Sequence, residues 1–186
     1  MNHRDTIKEW KHIAENFFET RESIYKKAIN LAIDSLKKGH KILVFGNGGS
    51  AAQAQHFAAE LVNKFLKVRP PIQALSLTTD TSNLTSIAND TSFDYVFSRQ
   101  IDAFGEKGDI ALGLSTSGNS PNVIEAMKIA KARGLITIAL TGKGGGRLPS
   151  LVDCLLDVPS KDTPRIQEVH LLLLHLLAQE IEDQLG

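Results

Sequence analysis

Charge of one sign is what this chain most plainly lacks. Its 21 Lys and Arg balance 21 Asp and Glu with no block of like charge, so nothing marks it for nucleic acid or an anionic membrane. The expected partner is a small molecule. The one cysteine, Cys154, rules out an intrachain disulfide, and its setting in "DCLLDV" reads as a buried strand thiol rather than a nucleophile. The N-terminal "MNHRDTIKEW" has no apolar segment of the secretory kind, and no run of about 18 apolar residues occurs, so secretion and membrane spanning are unsupported and a cytoplasmic location is expected.

Proline and glycine are absent from residues 5–37, which predicts one long helix, stopped by Gly39. On a seven-residue repeat Ile7, Ala14 and Ala28 form one row and Trp10, Phe17, Ile24 and Leu31 another, with Arg21 the exception. Such a bundle-like stripe either covers the sheet or pairs with another subunit, and the second reading marks residues 1–38 as a helical oligomerisation segment ahead of a domain spanning 39–186.

From there apolar runs alternate with helical patterns. The strands read "KILVFG", "IQALSL", "DIALGLS", "LITIALTG" and "CLLDV". Helices are expected at 50–65, about 81–90, about 93–103, 120–133 and 163–184, with a helical turn near 147–151. This is an α/β pattern, a doubly wound five-stranded parallel sheet with helices on both faces. Ligands bind such sheets beyond the carboxyl ends of the strands, so chemistry is expected in the loops after the first and third strands.

The first loop, Gly46-Asn47-Gly48-Gly49-Ser50-Ala51, satisfies G-x-G-x-x-A, but the acidic residue a dinucleotide site needs about 20 positions on is missing from "FLKVRPP". What survives is close backbone approach at Gly48 and Gly49 and a helix start, capped by Ser50, that favours an anion or a sugar oxygen. After the third strand, Ser115, Thr116, Ser117 and Ser120 surround Gly118, and Pro121 stands at the first helical position behind Ser120 as N-cap. Four hydroxyls at a helix N-terminus form a phosphate cup without a lysine. That argues for a bound phosphomonoester rather than nucleotide hydrolysis.

His56 and Glu60, four apart, share a helix face. The last helix adds Gln167, His170 and His175. Gln167 and His175 diverge by about 80°, His170 and His175 by about 140°. A histidine inside "LLLLHLLA" is ordinarily a core residue, and spacing does not choose between the two. Two His, one Glu and one Gln from two helices are a possible mixed N/O zinc site.

Four stretches, "GNGGSAAQAQHFAAEL", "IANDTSFDYVF", "LSTSGNSPNV" and "RIQEVHLLLLHLL", resemble the SIS (sugar isomerase) family, specifically its phosphoheptose isomerases, in order and over essentially the whole chain. The resemblance implies a homotetramer, one zinc per subunit, and conversion of D-sedoheptulose 7-phosphate to D-glycero-D-manno-heptose 7-phosphate on the way to activated ADP- or GDP-heptose. It implies zinc on His56, Glu60, Gln167 and His175, phosphate on Ser115, Thr116, Ser117 and Ser120, and sugar contacts at Asn47, Gly48, Gly49, Ser50, Asn89, Asp90 and Gln167. Glu60 is then the base and His175 the acid. Non-catalytic members are the rival reading, among them sugar-phosphate sensors and a module that binds the replication initiator. They have no need of a carboxylate at position 60 facing His175.

Overall fold

The computed structural model describes residues 2–186. Five parallel strands, β1 (Ile42–Gly46), β2 (Ala74–Ser76), β3 (Ile110–Ser115), β4 (Ile136–Thr141) and β5 (Cys154–Asp157), lie in the order β2-β1-β3-β4-β5. The order reverses between β1 and β3, which pair from Ile42 with Ile110 to Gly46 with Leu114. Doubly wound sheets bind ligands at such a reversal, and the loops that follow Gly46 and Ser115, expected to carry chemistry, lie there. β1 and β3 are buried along their whole length, as strands covered on both faces must be.

The helices are α1 (His3–Lys37), α2 (Gly49–Val62), α3 (Thr81–Asp90), α4 (Ser98–Phe104), α5 (Pro121–Ala132) and α6 (Thr163–Leu185). Because strand side chains alternate, Ile42 and Val44 enter a core with α1, α2 and α6, whereas Leu43 and Phe45 enter a second core with α4 and α5. The expected doubly wound sheet is the one observed. Cys154 is buried and free, and burial pushes its thiol up to about 11, so little of it is the nucleophilic thiolate at neutral pH. No helix among the described residues is long and apolar enough to cross a membrane.

Four local expectations need correction. The helix expected at 93–103 is a 3-10 turn at Phe93–Tyr95 followed by α4, and residues 147–151 form turns rather than a helical turn. The helix expected to reach 65 ends at Val62 because the N–H groups of Phe65, Leu66 and Lys67 bond to the Glu182 carboxylate. Ser50 does not cap α2: Gly48, at φ 55°, is the N-cap residue and Ser50 is buried one residue inside the helix.

α1 also differs in detail. Ala14, Phe17 and Ala28, with Ile13, Tyr25, Ile29 and Ile33, are buried in the chain's own core, so this part of the stripe covers the sheet and α6, but Ile7 is 63% exposed. A strict seven-residue row drifts about 20° per heptad around a straight 3.6-residue helix, so over 35 residues the buried face leaves that row. Arg21, the exception, bonds to Asp157 through Nε at 2.7 Å.

Candidate active site

The site has two parts. At the carboxyl edge of the sheet, Ser115 is buried at the end of β3, and its hydroxyl pairs with that of Ser120 at 3.0 Å. Ser120 is the N-cap residue of α5 but makes no side-chain cap bond, so its hydroxyl serves the cup rather than the helix. Ser117 Oγ accepts from the Asn119 N–H at 3.1 Å, and Thr116 is half-buried. The chain turns at Gly118, φ 65°, where the loop after β4 packs on it: the Gly142 N–H donates to the Thr116 carbonyl and the Arg147 N–H to the Gly118 carbonyl. A β-carbon on Gly118 would overlap the Gly145 carbonyl. The cup is thus held from behind by a second glycine loop.

Across the crevice, Gly48 and Gly49 are exposed, and Asn47 is tied to Asn122 at the start of α5 by two reciprocal amide bonds of 2.9 Å. Asn122, 2% exposed, is missing from the sequence expectations. Its one signal was a polar residue in the first turn of a helix that begins at the hydroxyl loop. Gly49 has no room for a side chain, because a β-carbon would stand 2.7 Å from Gln167 Nε2. Gln167 therefore lies against the glycine turn, and its amide makes no hydrogen bond to the histidine cluster. Its backbone carbonyl accepts from Gln53 Nε2 at 2.6 Å.

The second part is the seam between α2 and α6. His56 Nε2 stands 2.9 Å from His175 Nε2 and 3.0 Å from Glu60 Oε1, and His175 Nε2 is 3.4 Å from the same oxygen. Glu60 is mostly buried, and its other oxygen, Oε2, is buried without a partner. Burial raises the Glu60 carboxyl above the ordinary carboxylate range, against the pull of His56 and His175, and the Glu182 charge adds to the rise. Phe65 lies flat on His175, with ring centroids 5.8 Å apart and planes at 26°. His170 points the other way, fully buried, with Nε2 donating to the Thr141 carbonyl at 3.1 Å. Asn89 and Asp90, exposed at the end of α3, bond to one another at 2.8 Å and make no hydrogen bond to either part of the site.

Three Lewis-basic atoms converge without a matching set of donors, since at most one of the two facing Nε2 atoms can donate to the other. His56, Glu60 and His175 each offer one ligand atom within 4.8 Å of the others. Ligand atoms about 2.0–2.1 Å from a tetrahedral zinc stand about 3.3 Å from one another, close to the separations observed. The residues fit a zinc ion.

The fold and this pairing of hydroxyl cup with His/Glu cluster mark a class, and the SIS domain family model matches residues 7–142. The phosphoheptose isomerase of Aliarcobacter butzleri is 49% identical over 186 residues, all of this chain and 95% of that protein. Among solved structures, phosphoheptose isomerase GmhA from Neisseria gonorrhoeae aligns with a TM-score of 0.91 at 44% identity, covering 97% of this chain and 96% of that one. A phosphoheptose isomerase from Francisella tularensis aligns at 0.88 and 34% identity, covering 98% and 100%. The chain belongs to the SIS domain family and, within it, to the phosphoheptose isomerases.

Proposed function

We propose that this protein isomerises D-sedoheptulose 7-phosphate to D-glycero-D-manno-heptose 7-phosphate through an enediol, supplying the first step towards activated heptose in the cytoplasm. The observation that carries the reading is Glu60, a buried carboxylate whose Oε1 faces two histidines while Oε2 has no partner. A ketose becomes an aldose when one proton leaves C1 and another reaches C2, while O1 loses a proton and O2 gains one. Glu60 takes the C1 proton and returns it to C2. His175 protonates O2 and accepts the proton from O1. A raised carboxyl pKa suits the first role, because a base works best with its pKa near the working pH.

The hydroxyls of Ser115, Thr116, Ser117 and Ser120 hold the phosphate, and Asn47, Gly48, Gly49 and Ser50 line the sugar chain from the opposite side of the crevice. Asn89, Asp90 and Gln167 complete the proposed sugar contacts. His56, Glu60 and His175, with Gln167 on the neighbouring face of α6, would hold zinc, and His175, whose Nε2 faces the cluster, would then move its proton through Nδ1. Bound there, zinc polarises sugar oxygens as a Lewis acid.

Glu60→Gln keeps the shape and removes the base, so turnover of sedoheptulose 7-phosphate is expected to fall by about 10²–10⁴-fold while sugar-phosphate binding stays within a few fold. Wild-type-like rates in that variant sink the assignment of the base. Turnover of fructose 6-phosphate instead reassigns the substrate, and turnover of neither sugar favours a non-catalytic binding module.

The reading includes a homotetramer. Apolar side chains facing outward support it, namely Ile7 (63% exposed), Leu66 (67%) and Val68 (92%). A sedimentation mass of one chain overturns the assembly.

A further inference from the structure

The segment 63–70 between α2 and β2 has no helix or strand, and its Leu66 and Val68 face outward. A loop of this kind normally gives its backbone groups to water. This one does not. The N–H groups of Phe65, Leu66 and Lys67 donate to the Glu182 carboxylate at 2.9, 2.8 and 2.9 Å, and Arg69 Nε joins them at 3.1 Å. The rest of the guanidinium turns to the end of α2, with Nη2 donating to the Glu60 carbonyl and Nη1 to the Leu61 carbonyl, both at 2.8 Å. Both side chains are 1% exposed.

Burying an ion pair is costly even when every hydrogen bond is made, and an apolar contact would close the loop as well. The pair's position supplies the reason for it. Glu182 lies two helical turns beyond His175 on α6, and Arg69 grips the turn that bears Glu60. Between them the loop lays the Phe65 ring on the His175 imidazole, centroids 5.8 Å apart. Each of the two acid–base residues is therefore tied to the same buried pair, one through its backbone carbonyl and one through its ring face.

We propose that Arg69, Glu182 and Phe65 are positioning residues of the isomerase site: the buried pair pins the loop to both helices, and Phe65 sets the plane of the His175 ring. The inference rests on the functional reading above. None of the three enters the hydrogen-bonded cluster, so they act through Glu60 and His175, in the way that outer partners orient metal-ligating histidines.

The test compares Phe65→Leu, which keeps an apolar side chain but no ring, with Phe65→Tyr, which restores the ring. For each, kcat and KM on sedoheptulose 7-phosphate, zinc affinity by competition with a chromophoric chelator, and Tm are measured. Phe65→Leu is expected to lower kcat and weaken zinc binding by about 10–100-fold, with KM within about twofold and Tm within a few degrees. Phe65→Tyr is expected to recover both. Because Glu182→Gln leaves the Arg69 cation buried without its counter-charge, that variant is expected to lose stability first, and the Phe65 pair carries the test. Wild-type kcat and zinc affinity in Phe65→Leu overturn the proposal, as does equal impairment of the two variants. Wild-type protein that neither isomerises nor binds zinc overturns the functional reading instead, so the two failures are distinct.

Discussion

At the scale of single residues, the two roles proposed for Glu60 make demands that oppose each other. Zinc ligation favours the ionised carboxylate, whereas a base needs its pKa raised towards neutrality. The structure gives the two oxygens different company, Oε1 among the histidine nitrogens and Oε2 buried without a partner. His56 and Glu60 were legible from their four-residue spacing on one helix. His175 was legible only through resemblance, because the choice against His170 depends on which face of α6 meets the sheet, and the middle stretch "VHLLLLHLLA", apolar nearly all round, does not declare that face. Phe65 went unread because it falls at the end of the helix expected at 50–65, and Arg69 because it sits in a connection with no periodicity. Glu182 did carry a signal, a carboxylate seven residues beyond His175 on the same face, but nothing in the sequence named its partners.

Among the elements, the hydroxyl loop after β3 depends on a second loop for its shape. Gly118 is left-handed, and the 142–147 loop meets it with Gly144, Gly145 and Gly146, also at positive φ. A run of glycines such as "TGKGGGR" suggests a flexible loop, yet the structure packs it against the cup: a β-carbon on Gly146 would meet the Ser117 carbonyl at 2.6 Å. The glycines permit close packing here rather than mobility. Gly118→Ala should therefore do two things. Strain at φ 65° and displacement of the Gly145 carbonyl are expected to cost about 1–3 kcal/mol of stability. The displaced loop should also raise KM for the sugar phosphate about tenfold, the order of one lost hydrogen bond to a charged group, with zinc affinity unchanged because the His/Glu cluster belongs to α2 and α6. Unaltered KM in a folded variant would show that the cup keeps its shape without the second loop.

Over the whole molecule, the five strands and their parallel order were legible because each strand is a short apolar run between helical patterns. The split of 93–103 and the early end of α2 were not, since tertiary bonds decide both. The same separation of local from tertiary causes governs stability against pH. His170 is fully buried, with Nε2 bonded to the Thr141 carbonyl and Nδ1 without a partner. Protonation would bury a charge with one N–H unmatched, so burial lowers its pKa from 6.5 to about 4, against a smaller opposing effect of the Thr141 bond. The unfolded chain binds the proton first. Stability is therefore full above about pH 6.5 and falls towards pH 4, by about 3 kcal/mol at that limit. Glu182 acts in the same sense at lower pH: burial pushes its carboxyl up, but the loop N–H groups and Arg69 hold it below the ordinary 4.5, so its contribution disappears as pH falls below that value. Glu60, raised, acts oppositely, and its cost is relieved as pH falls through its own range. Urea unfolding between pH 7 and pH 4 separates these contributions when His170→Gln is compared with the wild type. Gln keeps a donor for the Thr141 carbonyl but does not titrate. The variant should start less stable at pH 7 yet lose about 3 kcal/mol less on the way to pH 4. Parallel pH profiles for the two proteins would exclude His170 as the source of the acid limb above pH 4.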